Sequence, residues 1–124
     1  MPSILLIEDD ELFREALAAA LTEHGYLVRQ ARDGADGLRL FRVEPANLVL
    51  TDIVMPGREG IETVMELRRT NPKLGIIAMS GGFAKHAPLY LRLAGGLGAN
   101  CTLKKPFALP ALLTAIENVL AERS

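Results

Sequence analysis

With 124 residues, 49% of them hydrophobic, the chain has apolar material for one core and too little length for two. The 14 basic residues against 15 acidic ones leave a net charge of -1 and form no long run or stripe, which argues against nucleic-acid binding by this chain. The first apolar run is too short for a signal-peptide core or a membrane span, and the single cysteine, Cys101, permits no internal disulfide. One cytoplasmic domain over residues 1–124, with no membrane contact, is expected.

Ile4-Leu5-Leu6-Ile7 reads as a first strand that ends at Glu8-Asp9-Asp10. The segment 11–24 follows with helical period, placing Phe13, Ala16, Leu17, Ala20 and Leu21 on one stripe, and Gly25 is its natural stop. Residues 27–31 and 34–43 repeat the strand and helix pattern. Leu48-Val49-Leu50-Thr51 is a third strand closed by Asp52, and Ile53-Val54-Met55-Pro56-Gly57 comes next. The third helix ends near Arg68-Arg69, a pair suited to a solvated carboxyl terminus. Ile76-Ile77-Ala78-Met79 runs into Ser80, after which a glycine-rich loop over 81–87 precedes a helix starting at Pro88, with Tyr90, Leu93, Ala94 and Leu97 facing inward. Gly95-Gly96 should make that helix the least stable. Cys101-Thr102-Leu103-Lys104 reads as the fifth strand, followed by Lys105. The last helix carries Leu109, Leu112, Leu113, Ile116, Val119 and Leu120 at three-and-four spacing, with Pro110 in its first turn.

Five strands alternating with five helices is an α/β pattern, and strand runs without polar alternation imply burial on both faces of a doubly wound parallel sheet. Ligands of such sheets bind beyond the carboxyl ends of the strands, which is where Glu8, Asp9, Asp52, Ser80 and Lys105 all fall. Unit charges about 4 Å apart repel by roughly 4 kcal/mol at an effective dielectric near 20, so converging carboxylates need a raised pKa or a bound cation. Oxygen donors with no His or Cys beside them favour Mg2+. A carboxylate acceptor, a metal, an ammonium and a hydroxyl suffice for phosphoryl transfer, which depends mainly on positioning and charge neutralisation. Phe13, Phe41 and Met65 read as core filler, Cys101 as a small buried filler, and His24 and His86 lack metal-ligand spacing.

Ile7-Glu8-Asp9-Asp10, Thr51-Asp52-Ile53-Val54-Met55-Pro56-Gly57, Met79-Ser80-Gly81 and Lys105-Pro106-Phe107 resemble, in order and near-identical spacing, the motifs of response regulator receiver domains. The resemblance covers essentially the whole chain and implies a flavodoxin-like (βα)5 fold with strand order 2-1-3-4-5. It makes Asp52 the phosphoacceptor, has Glu8, Asp9, Asp52 and the backbone carbonyl of Val54 hold magnesium, and has Ser80 and Lys105 contact the phosphoryl group. Asp10 falls one position past the acidic pair and is expected to cap the first helix. The Lys105-Pro106 bond is commonly cis in relatives.

The resemblance further implies a phosphorelay switch rather than a conventional enzyme. Its donor would be a sensor histidine kinase or histidine phosphotransfer protein, and its downstream protein target is left open, as is a homodimer through the last two helices. Two departures stand out: Thr102 occupies the position where relatives carry an aromatic readout residue, and the 81–87 loop is long and rich in glycine. An interaction module indifferent to phosphorylation is one alternative, supported by Thr102. A magnesium-dependent aspartyl-phosphate phosphatase is another, disfavoured because Val54 stands where a second aspartate is expected.

Overall fold

In a computed structural model that describes residues 1–53, 59–81 and 95–123, five parallel strands form one sheet. They are β1 (Ser3–Ile7), β2 (Leu27–Ala31), β3 (Leu48–Asp52), β4 (Gly75–Ser80) and β5 (Cys101–Lys104), in spatial order β2-β1-β3-β4-β5. Helices α1 (Glu11–Glu23), α2 (Gly34–Val43), α3 (Glu59–Thr70) and α4 (Leu109–Arg123) complete the described elements. This is the flavodoxin-like order expected from the sequence. The expected helix from Pro88 lies largely outside the described residues; of its span only 95–97 are described, and these are helical.

Strand alternation divides the core in two. Leu5, Ile7, Val49, Ile76 and Ala78 face Phe41, Val64 and Leu67 of α2 and α3. Ile4, Leu6, Leu48, Leu50, Ile77 and Met79 face Leu17 and Leu21 of α1 and Leu112, Ile116 and Val119 of α4. The central strands are accordingly buried almost throughout, while the edge strands β2 and β5 are only partly covered. No described helix is long and apolar enough to cross a membrane.

Local signals in the sequence account for the helix ends. The Asp10 side chain accepts from the Phe13 amide, the expected amino-terminal cap of α1, and Asp33 caps α2 through the Asp36 amide. Gly25 takes a φ of 92° just past α1, a conformation that costs glycine least. His24 donates from Nδ1 to the Ala20 carbonyl at 2.9 Å, a structural use.

Several packing expectations are corrected. Ala16 is exposed and Ala18 is buried in its place, because α1 turns the Leu17, Ala18 and Leu21 side toward the sheet. Met65 is 47% exposed on the outer side of α3, opposite buried Val64 and Leu67. Phe41 is core as expected, but Phe13 and Cys101 are only partly buried, Cys101 because β5 is an edge strand. Arg68 is no solvated helix end: its guanidinium donates to the carbonyls of Gly98, Asn71 and Pro72 and to Asn100 Oδ1, tying α3 to the turn before β5.

Candidate functional site

The order of the sheet reverses between β1 and β3, and the candidate site lies beyond the carboxyl ends of these two strands. Ladder bonds continue past the strands and seat its residues: the Glu8 amide donates to Ala31 O at 3.0 Å, that of Ile53 to Met79 O at 2.9 Å, and that of Lys105 to Ser80 O at 2.8 Å. Glu8, Ser80 and Lys105 are therefore fixed by main-chain bonding between neighbouring strands, and the Ile53 bond holds the residue next to Asp52. Gly60 lets the first turn of α3 approach the same edge, since a Cβ there would stand 2.7 Å from the Ile53 carbonyl oxygen and 2.8 Å from that of Asp52.

Carboxylate oxygens of Glu8, Asp9 and Asp52 all lie within 4.8 Å of one another. Glu8 and Asp52 are almost fully buried, at 1% and 4% exposure, whereas Asp9 is exposed. The Lys105 ammonium donates to Asp52 Oδ2 at 3.0 Å and forms a second, closer ion pair with Glu8 Oε1. Asp52 is therefore not the only partner of the lysine, and the pair with Glu8 is one that sequence spacing alone did not indicate. Arg14 supports the acidic corner from α1, donating from Nη1 to the Glu8 carbonyl at 2.9 Å and from Nε to Gln30 Oε1 at 3.1 Å. Ser80 Oγ is buried with no hydrogen-bond partner among the described residues.

Charge at this site is only partly balanced. Burial pushes the Glu8 carboxyl up to about 7, reinforced by the Asp52 charge, and the hydrogen bond from Lys105 does not offset it. Burial pulls the Lys105 ammonium the other way, but the carboxylates of Glu8 and Asp52 outweigh it, so the lysine stays charged above its ordinary value. Among the described residues, three carboxylates thus meet one ammonium, with an unpartnered hydroxyl at the same edge. All the donors in the acidic group are oxygens, which fits a hard divalent cation, and an incoming anion can use the ammonium and the hydroxyl.

The structure thus brings Glu8, Asp9, Asp52 and Lys105 together, with Ser80 at the end of the next strand. The Val54 carbonyl lies outside the described residues, as do His86 and most of the 81–87 loop. The Lys105-Pro106 bond is cis. Thr102 lies on β5 opposite Ala78, partly buried. Besides Arg14, Phe13 escaped sequence reasoning as a residue of the site: its ring lies under the Lys105 ammonium, 4.4 Å from Nζ to the centroid. Its position three residues past the cap of α1, at the end of the helix nearest the acidic loop, was the available signal.

Residues 4–117 match the family described as response regulator receiver domain. The response regulator MprA from a Mycobacterium species is 34% identical over 122 residues, covering 98% of this chain and 51% of MprA, so the chain spans about half the length of that relative. Among solved structures, a CheY-like receiver domain protein of Methanospirillum hungatei superposes with a TM-score of 0.88 at 27% identity, covering 99% of this chain and 96% of that one. The response regulator TrrA of Thermotoga maritima, solved in complex with Mg(2+)-BeF, gives 0.83 at 28% identity over 96% of this chain and 99% of its own. With an acidic pocket at the switch point of this fold, the chain belongs to the response regulator receiver domain family, the phosphoryl-accepting signalling domains of two-component systems rather than classical enzymes.

Proposed function

We propose that residues 1–124 form one receiver domain that acts as a phosphorylation-dependent switch, in which Asp52 accepts a phosphoryl group from a phosphohistidine. The donor is a sensor histidine kinase or a histidine phosphotransfer protein, and the switch works in the cytoplasm. The observation that carries this reading is the placement of Asp52: its buried carboxylate is shared between an acidic group on one side and the Lys105 ammonium, 3.0 Å away, on the other.

In the transfer, an Asp52 carboxylate oxygen attacks phosphorus in line, the new O–P bond forms as the N–P bond of the donor breaks, and the departing imidazole takes up a proton. Lys105 neutralises charge on the transferred oxygens, and the Ser80 hydroxyl donates to one of them, which gives its buried Oγ a partner. Magnesium, when held by Glu8, Asp9, Asp52 and the Val54 carbonyl, supplies further charge neutralisation. The acyl phosphate then shifts an existing conformational equilibrium, and a downstream protein selects the active state. Support comes from family membership, from the donor chemistry of the pocket and from the Mg(2+)-BeF complex of the Thermotoga relative.

The test is incubation with magnesium and acetyl phosphate. The wild type is expected to gain a phosphoryl mass that hydroxylamine removes, and Asp52→Asn is expected to gain none. Identical behaviour of the two proteins would overturn the proposal. A second reading, a binding module indifferent to phosphorylation, is favoured by Thr102 at the usual aromatic position. It predicts partner binding that ignores both magnesium and Asp52→Asn.

A further inference from the structure

The Lys105 ammonium has a third neighbour besides its two carboxylates. Its Nζ lies 4.4 Å from the centroid of the Phe13 ring, inside the range of about 6 Å over which a π face attracts a cation. Two contacts fix that ring. The Phe13 amide donates to Asp10 Oδ1 at 3.1 Å, so the cap of α1 sets the turn on which the ring stands. Phe107 meets the ring edge to face, with centroids 6.3 Å apart and planes at 72°, a favoured aromatic geometry. Because Phe107 follows Lys105 by two residues, the segment that carries the ammonium also braces the ring beneath it. An aliphatic side chain would fill the same partly buried space, but only an aromatic face presents a negative quadrupole to the cation.

We propose that Phe13 is a positioning residue whose ring face, rather than its volume, keeps the Lys105 ammonium within reach of Asp52. The inference rests on the proposed role of Lys105 toward the phosphoryl group. Two measurements on the whole chain separate it from that role. The first is the NMR shift of the Lys105 ε-methylene protons in unphosphorylated protein, which a nearby ring face moves upfield. The second is the rate of Asp52 phosphorylation by acetyl phosphate with magnesium. Wild type, Phe13→Leu and Phe13→Tyr are compared, with thermal melts to establish that each is folded.

Phe13→Leu is expected to return the Lys105 resonances toward those of free lysine and to slow phosphorylation roughly 2- to 30-fold. Phe13→Tyr is expected to keep both near wild type. The inference is overturned if Phe13→Leu leaves the resonances in place, if it moves them without slowing the reaction, or if the Leu and Tyr variants are equally impaired, as a volume-filling role predicts. If the wild type takes up no phosphoryl group, the phosphoacceptor reading fails, and the Lys105 resonances still decide whether the ring holds the ammonium.

Discussion

The two ends of the sheet treat polar groups in opposite ways. At the amino end, Asn47 Oδ1 accepts from the Ser3 amide at 2.8 Å, and Asn100 Oδ1 accepts from the Ile76 amide at 2.8 Å, so side chains satisfy the backbone donors. At the carboxyl end, Glu8 and Asp52 are buried beside Asp9, one ammonium serves the first two, and Ser80 Oγ has no partner among the described residues. Unmet charge and hydrogen-bonding capacity cost stability when buried. One end holds the strands in register, while the other, under the proposed function, keeps interactions in reserve for a cation and an anion.

Substitutions at the two ends should therefore have opposite consequences. The largest effect is expected at Glu8. Its native carboxyl, at about 7 against an ordinary 4.5, keeps its proton to higher pH than in the unfolded chain. The associated stability is complete below 4.5 and is lost as pH rises through about 7, a loss of about 3 kcal/mol. In metal-free protein, Glu8→Gln should remove that part of the pH dependence and be the more stable form at pH about 8 by up to about 3 kcal/mol. Urea melts across this range check it, and parallel curves for the two proteins would remove the contrast between the ends.

A smaller effect is expected where α3 meets the site. Gly60→Ala places a methyl 2.8 Å from the Asp52 carbonyl oxygen, and displacing the helix should cost roughly 1–3 kcal/mol and slow phosphorylation as well. Chemical denaturation together with adduct formation measures both; unchanged stability would show that α3 yields freely. The smallest effect belongs to the amino end. Asn47→Ala loses the bonds that the Ser3 amide and hydroxyl donate to Asn47 Oδ1 and should cost about 1 kcal/mol while leaving the phosphorylation rate at the wild-type value. A matching loss of rate would show that the two ends are coupled.

Much of this site was legible because a parallel sheet turns a linear pattern into a place. Each of Glu8, Asp52, Ser80 and Lys105 stands at or just after the end of an apolar run, and parallel strands deliver those ends to one edge. The Asp10 cap was legible for a similar reason, since it depends on a local bond to a residue three positions on. What escaped depends on the rotation of helices and on long-range reach. Ala16 and Ala18 exchange places through a modest turn of α1, and Met65 lies on the side of α3 away from the sheet. Arg68 spans 30 residues of sequence to reach the Gly98 carbonyl. Phe13 has an aromatic side chain that suits a core equally well, and only the position of Lys105, 92 residues on, reveals the cation above its face.

On the proposed function, one carboxylate among three takes the phosphoryl group. Borohydride reduces an acyl phosphate to an alcohol, so an aspartyl phosphate is trapped as homoserine and can be located by peptide sequencing. After reaction with acetyl phosphate and magnesium, homoserine is expected at position 52, with unchanged residues at 8 and 9. Reduction at Glu8 or Asp9, or no reduced residue at all, would contradict it.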